Sequence, residues 1–135
     1  MTRDISALHP DLQPLCMEFM IRCKAENIPV FITETWRDTQ RQRELWIKGR
    51  DSFGKIIKQS AVVTYSKPGT SKHEFTITGK PASKAFDVGL KNADGSADWD
   101  DTNPHWFRMG EIGEELGLTW GGHFKRPDKP HFQIT

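Results

Sequence analysis

Two histidines and two aspartates hold the arrangement in this chain most able to do chemistry. His73 closes the run Pro68-Gly69-Thr70-Ser71-Lys72-His73, a loop held by its Pro-Gly pair. His131 follows Asp128 across Lys129 and Pro130. Asp87 lies inside the apolar run Ala85-Phe86-Asp87-Val88-Gly89-Leu90. A carboxylate between Phe86 and Val88 is costly to bury unless it is paired, hydrogen-bonded or bound to a metal. Two imidazoles, one carboxylate and an open position make a catalytic zinc set. Such an ion brings the pKa of a bound water near neutrality. The chemistry also needs a carboxylate base within about 2.6–3.2 Å of that water. Asp128 is the candidate, because a turn at Pro130 lets Asp128 and His131 point into one cleft. The plain alternatives are that Asp87 caps a turn or pairs with an arginine, and that Asp128 belongs to a surface turn.

The remaining chemically able residues are weaker candidates. His123 precedes His131 by eight positions. Facing strands would bring the two rings together, with His123 as a third ligand in place of Asp87, as an electrophile beside the metal, or as a residue of the cleft wall. His9 and His105 read as surface or capping residues. Cys16 and Cys23 fall seven positions apart in a helical stretch. At ~1.5 Å rise per residue their Cα atoms lie about 10 Å apart, too far for a disulfide, so both read as reduced, partly buried thiols. Asp94, Asp98, Asp100 and Asp101 lack the register of a calcium loop and read as a solvated segment.

The elements that must position these groups follow from periodicity. Leu12, Leu15, Phe19 and Cys23 recur at helical spacing, with Pro10 expected in the first turn and Asn27-Ile28-Pro29 as the stop. Pro29 to Thr35 reads as a strand, with Val30, Ile32 and Glu34 on one face. Asp38 to Lys48 reads as a second helix, capped by Asp38 or Thr39 and closed by Gly49. Residues 50 to 84 read as loops with one or two short strands, and Ala85 to Leu90 as a buried strand. Asn92 to Asp101 reads as an exposed loop. Asn103-Pro104 opens a third helix that runs to about Leu116. Leu118 to Trp120 and His131 to Ile134 read as two more strands. The order predicts an α+β fold: one small domain over residues 1–135, helices packed on a central antiparallel sheet.

Composition narrows the function classes. At 135 residues the chain is the size of one domain. Nineteen Lys+Arg against 18 Asp+Glu leave a formal charge of +1, which disfavours a nucleic-acid binder. The basic run around Arg37 to Arg50 reads as a solvated helix face. The eight Phe and five Trp, with that low net charge, disfavour disorder. No apolar run approaches the ~20 residues of a membrane span. Met1-Thr2-Arg3-Asp4 carries no leader pattern, so a cytoplasmic protein is expected.

Three blocks resemble one family. Arg37-Asp-Thr-Gln-Arg-Gln42-Arg-Glu-Leu45-Trp46-Ile-Lys-Gly49-Arg50 resembles its Arg/Gln/Leu-aromatic/Gly-Arg helix. Ser71-Lys-His73 with Ala85-Phe86-Asp87-Val88 resembles its Ser-x-His…Ala-x-Asp pair, and Trp120-Gly121-Gly122 with Asp128-Lys-Pro-His131-Phe132 its closing block. The family is that of the zinc D-Ala-D-Ala carboxypeptidases and L-Ala-D-Glu peptidases, VanY-like and phage endolysin enzymes of the cell wall. Here fourteen positions separate His73 from Asp87, more than is usual there, as if residues 75–81 (FTITGKP) formed an inserted hairpin tip, and Ser83 stands where the family has Gly.

The resemblance implies a hedgehog/DD-peptidase-like fold, Zn2+ held by His73, Asp87 and His131, and Asp128 as the catalytic base. It implies Arg37 near the substrate, on an oxyanion or a substrate carboxylate, the alternative being an ion pair with Glu34 or Asp38. Ser71 and Trp120 are implied as substrate-binding, against a turn residue for Ser71 and core packing for Trp120, and His123, from its spacing to His131, is expected to contact substrate from the cleft wall. The implied partner is a peptidoglycan stem peptide, cut at L-Ala–D-Glu or at D-Ala-D-Ala by a monomer without stable membrane association. As a phage endolysin it would wait in the host cytoplasm and reach the wall once the membrane is permeabilised. A non-catalytic zinc-binding module is the reading from another class.

Overall fold

The structure is a computed structural model and describes residues 2–135. Helix α1 spans Gln13–Ala25, and the proline in its first turn is Pro14. Pro10 instead lies in the preceding turn, which shifts the helix start three residues beyond the expected one. Strand β1 is Val30–Glu34 and helix α2 is Thr39–Trp46. The Asp38 side chain caps α2 by accepting from the Arg41 amide at 2.7 Å. A long arm, residues 47–70, follows with little regular structure. Arg50 holds it in place by donating to the carbonyls of Trp46 (2.6 Å) and Thr64 (2.9 Å).

His73 sits in a 3-10 turn, Lys72–Glu74. Strands β2 (Thr76–Ile77) and β3 (Lys80–Pro81) then form a separate, exposed hairpin, as the longer spacing before Asp87 suggested. Its two-residue turn, Thr78-Gly79, has φ +51° and +77°. Strand β4 (Ala85–Lys91) is the centre of the main sheet. The exposed segment 92–101 contains one short strand, β5 (Ala97–Asp98), which pairs with β4. Helix α3 (Pro104–Glu115) is capped by Asn103, and β6 (Thr119–Trp120) and β7 (His131–Gln133) complete the chain. The sheet order is β1-β4-β7-β6, all pairs antiparallel, with β5 on the free stretch of β4. This is the expected α+β architecture.

The two faces of the sheet divide the labour. Phe86, Val88 and Leu90 of β4, with Phe132 of β7, point into a core closed by α1 and α3 through Cys16, Phe19, Met109 and Ile112. Phe19 packs on Phe86 and Phe132 with ring centroids 5.5 and 4.7 Å apart. Because strand side chains alternate, the same register sends Asp87 and His131 to the other face. On β1 a bulge between Ile32 and Glu34 inserts an extra residue, so Glu34 comes opposite Asp87. Glu34 was expected on the face of Val30 and Ile32; the bulge transfers it to the other one. Glu34, Asp87 and His131 thus form one row across three strands. Cys16 and Cys23 are free and buried in α1, and burial pushes both thiols up to about 12.

Candidate active site

A cleft of about 870 Å³ opens over this row. Its floor holds Arg37, His73, Asp87 and His131; one wall is the arm around Val62–Ser66 and the other the loop from Phe124 to Asp128. The guanidinium of Arg126 stacks 3.8 Å from the centroid of Tyr65, joining the walls.

Asp87 sits between the two imidazoles. Its Oδ2 is 3.3 Å from His73 Nε2 and its Oδ1 is 3.2 Å from His131 Nδ1. One donor atom from each of the three residues lies within 4.8 Å of the others. Each ring is turned by its second nitrogen. His73 Nδ1 donates to the Thr35 carbonyl at 2.7 Å, and His131 Nε2 donates to Gln133 Oε1 at 2.7 Å. Those bonds leave His73 Nε2 and His131 Nδ1 as the lone-pair nitrogens facing Asp87, the arrangement ligating histidines adopt. His73 Nε2 is buried and has no hydrogen-bond partner among the described residues. An orphaned acceptor beside a carboxylate and a second imidazole fits a divalent cation of zinc's preferences, with room for a further ligand on the cleft side.

The electrostatics match. Burial pushes the Asp87 carboxyl up, but the facing imidazoles outweigh it and hold it well below the ordinary carboxylate range. Burial pulls His131 down, but in the protonated ring Nδ1 donates to Asp87, and that bond, the Asp87 charge, Gln133 and Asp128 raise it above the usual imidazole value. Asp128 lies at the solvent-facing lip of the cleft. Desolvation on its protein side and the charge of Asp87 raise its pKa, against the opposing pull of His131, His73 and Arg37. The loop carrying it is pinned by the Asp128 amide donating to the Gly121 carbonyl at 2.8 Å. Gly121 must lack a side chain, since a Cβ there would collide with the Asp128 carbonyl oxygen.

Arg37 is buried, paired to Glu34, 2.8 Å from Gln42 Oε1 and 3.5 Å from Asp87 Oδ2. The Glu34 ion pair weighed from the sequence is therefore present, and it holds the guanidinium on the cleft floor. Ser71 lines the cleft, yet its hydroxyl accepts from the His73 amide at 3.2 Å in a capping box with Glu74. Two expected cleft residues lie elsewhere. Trp120 pairs with Phe132, so it points to the core face, where its Nε1 donates to the Lys129 carbonyl at 2.8 Å. His123 turns the same way, edge-on to Trp120 at 4.9 Å and 2.6 Å from Glu114 of α3. The sheet separates both from the row of Asp87. Thr35 and Gln133, which orient His73 and His131, were not foreseen. The alternation His131-Phe132-Gln133 was the available signal for Gln133.

The family of peptidases described as D-alanyl-D-alanine carboxypeptidase matches residues 65–134, the segment that contains all three candidate ligands and Asp128. The chain belongs to this M15 peptidase family. It is a hydrolase, and zinc is its metal. Among curated proteins it is 34% identical over 137 aligned residues to the peptidoglycan L-alanyl-D-glutamate endopeptidase CwlK of Bacillus subtilis, covering 96% of this chain and 74% of that one. Its fold is similar to that of a mutant of the vancomycin-resistance D,D-pentapeptidase VanY in complex with Zn(II), with a TM-score of 0.66 and 16% identity over 94% of this chain and 72% of that one. VanYB in complex with D-alanine-D-alanine is equally similar, at TM-score 0.66 and 16% identity over 94% and 71%.

Proposed function

We propose that this M15 peptidase hydrolyses the stem peptides of peptidoglycan at the L-Ala–D-Glu bond. The observation that carries the peptidase chemistry is the convergence of His73 Nε2, Asp87 and His131 Nδ1 on one point beneath an open cleft, with Asp128 on its lip. The choice of bond is supported by the similarity to CwlK along nearly the whole chain. In this reading His73, Asp87 and His131 hold zinc, which when bound supplies a Lewis acid that acidifies water and polarises a carbonyl. Asp128, whose carboxyl is raised above its ordinary value by desolvation and the charge of Asp87, takes the proton of the attacking water on its carboxylate and hands it to the leaving amine. Arg37, held rigidly by Glu34 and Gln42, presents a fixed positive charge to the oxyanion or to a substrate carboxylate. Ser71 contributes by capping the turn that carries His73.

Digestion of purified sacculi and mass spectrometry of the fragments test this. New amino termini at D-Glu are expected. Release of D-alanine alone would establish D,D-carboxypeptidase action instead, and zinc uptake without any new terminus would leave a binding module. We carry a phage-lysis setting, with a monomer that waits in the cytoplasm, as part of the same proposal. Its test is turbidity of cells expressing the protein, expected to hold steady until the membrane is permeabilised and to fall afterwards.

A further inference from the structure

A second hollow, of about 230 Å³, adjoins the cleft. Asp128 and Trp99 line both. Trp99 follows β5 and is 55% exposed, unusual for the largest apolar side chain. It is nevertheless firmly held. Its ring stacks on Trp106 at 6.2 Å and 15°, and Trp106 is itself buried with its Nε1 bonded to the Asp100 carbonyl at 3.0 Å. The far edge of Trp99 rests on β4 at Gly89, where a Cβ would come within 3.1 Å of the indole. Gly89 is two residues along β4 from Asp87, on the same face of the sheet. An exposed aromatic plate is therefore built in beside the reacting centre. A pyranose presents a face of C–H groups that packs on such a plate, its hydroxyls meeting the polar rim.

Charge sorts the two ends of the site. The main cleft is lined by Arg37, Lys72, Lys125 and Arg126 besides its two aspartates. The hollow has Asp101 and Asp128 against one lysine, Lys129, whose ammonium is engaged by the Asp101 carbonyl at 2.6 Å. A carboxylate is favoured in the first and disfavoured in the second. In the stem peptide, the α-carboxylate of the γ-linked D-Glu and the C-terminal carboxylate both lie on the C-terminal side of the scissile bond. L-Ala is preceded by the uncharged lactyl ether of muramic acid, so one residue separates the scissile bond from the sugar.

We infer that the hollow floored by Trp99 is a saccharide subsite on the N-terminal side of the scissile bond, and that the enzyme favours stems still attached to muramic acid. This rests on the L-Ala–D-Glu reading above. The test compares kcat/KM of the zinc-loaded protein on N-acetylmuramyl-L-Ala-γ-D-Glu-L-Lys and on the same tripeptide bearing only an N-lactoyl group. The wild type is expected to favour the sugar-bearing substrate by about tenfold, equivalent to ~1.4 kcal/mol. Trp99→Ala should bring the ratio close to one, and Trp99→Phe should leave it in between. The ratio is internal to each variant, so loss of folded enzyme cancels, and the Phe variant decides if the Ala variant does not fold. A wild-type ratio near one, or a ratio unchanged in the variants, overturns the subsite while leaving the bond assignment intact. Failure to cut either substrate between L-Ala and D-Glu overturns that assignment, and the subsite with it.

Discussion

Asp128 and His131 are three positions apart yet have separable duties. Asp128→Asn keeps the shape of the lip and removes the proton acceptor. Zinc content should stay near one equivalent while kcat falls by about 10²–10⁴-fold. His131→Ala removes a ligand, so metal and turnover should disappear together; atomic absorption beside a hydrolysis assay separates the two. Arg37 is bound to structure as well as to chemistry. Arg37→Ala leaves the buried Glu34 carboxylate with only the longer contact to Arg41 (3.7 Å) and should cost about 3 kcal/mol in a denaturant melt. Adding Glu34→Gln should return part of that loss, a coupling of about 0.5–3 kcal/mol. At this scale the chain was most readable where a residue contradicts its neighbours. Asp87 stands out as a charge in an apolar run, whereas His73 was singled out by its residue type and loop, and the resemblance joined it to Asp87 and His131 as one ligand set. Trp99 looked like part of a solvated turn because its supports, Gly89 and Trp106, are distant or face away in sequence.

The helices and strands set the geometry through register. Trp120 and His123 illustrate the limit of reading them in one dimension. Pairing of Trp120 with Phe132 decides the face, and no pattern within a two-residue strand reveals its partner. Glu34 was misplaced for the same reason: a bulge is a relation between two strands. By contrast, the Asp38 and Asn103 caps act within one turn and were legible directly. Gly121 belongs to this scale as well. Gly121→Ala should push the 124–130 loop outward, misplace Asp128 and crowd His131, lowering kcat by about 10²-fold, read in a hydrolysis assay. The β2–β3 turn offers a gain instead. Thr78 is a β-branched residue at φ +51°, beside Gly79. Asn-Gly suits such a turn better, so Thr78→Asn should raise stability by about 0.5–1 kcal/mol, read as a higher melting midpoint.

For the molecule as a whole, folding, metal and protons are linked. Asp87 titrates lower in the folded protein than its ordinary 3.8, so it contributes stability above that value that is lost as pH falls toward the folded pKa. His131 titrates above its ordinary 6.5, so its contribution is complete below that value and is lost as pH rises through the folded pKa. Asp128, raised above its ordinary 3.8, works against Asp87 and costs stability as pH climbs past that value, so the metal-free protein should lose stability on the acid side through Asp87 and above about pH 6.5 through His131. Zinc needs His131 neutral, so its affinity should fall about tenfold per pH unit for each proton displaced once pH drops below the raised His131 pKa. At zinc a hundred times its Kd, melting above that pKa should show about 2.7 kcal/mol more stability than with chelator present. Calorimetry across pH, with and without chelator, checks both statements. One appendage stands outside this linkage. The hairpin of β2 and β3 projects from the segment joining two candidate ligands, pairs with no strand of the main sheet, and is solvent-exposed along both strands. Doubling the length of such a tether costs only ~0.6 kcal/mol. Its tip is a natural port at which a foreign epitope or a wall-targeting peptide can be spliced into the enzyme, leaving the sheet beneath undisturbed.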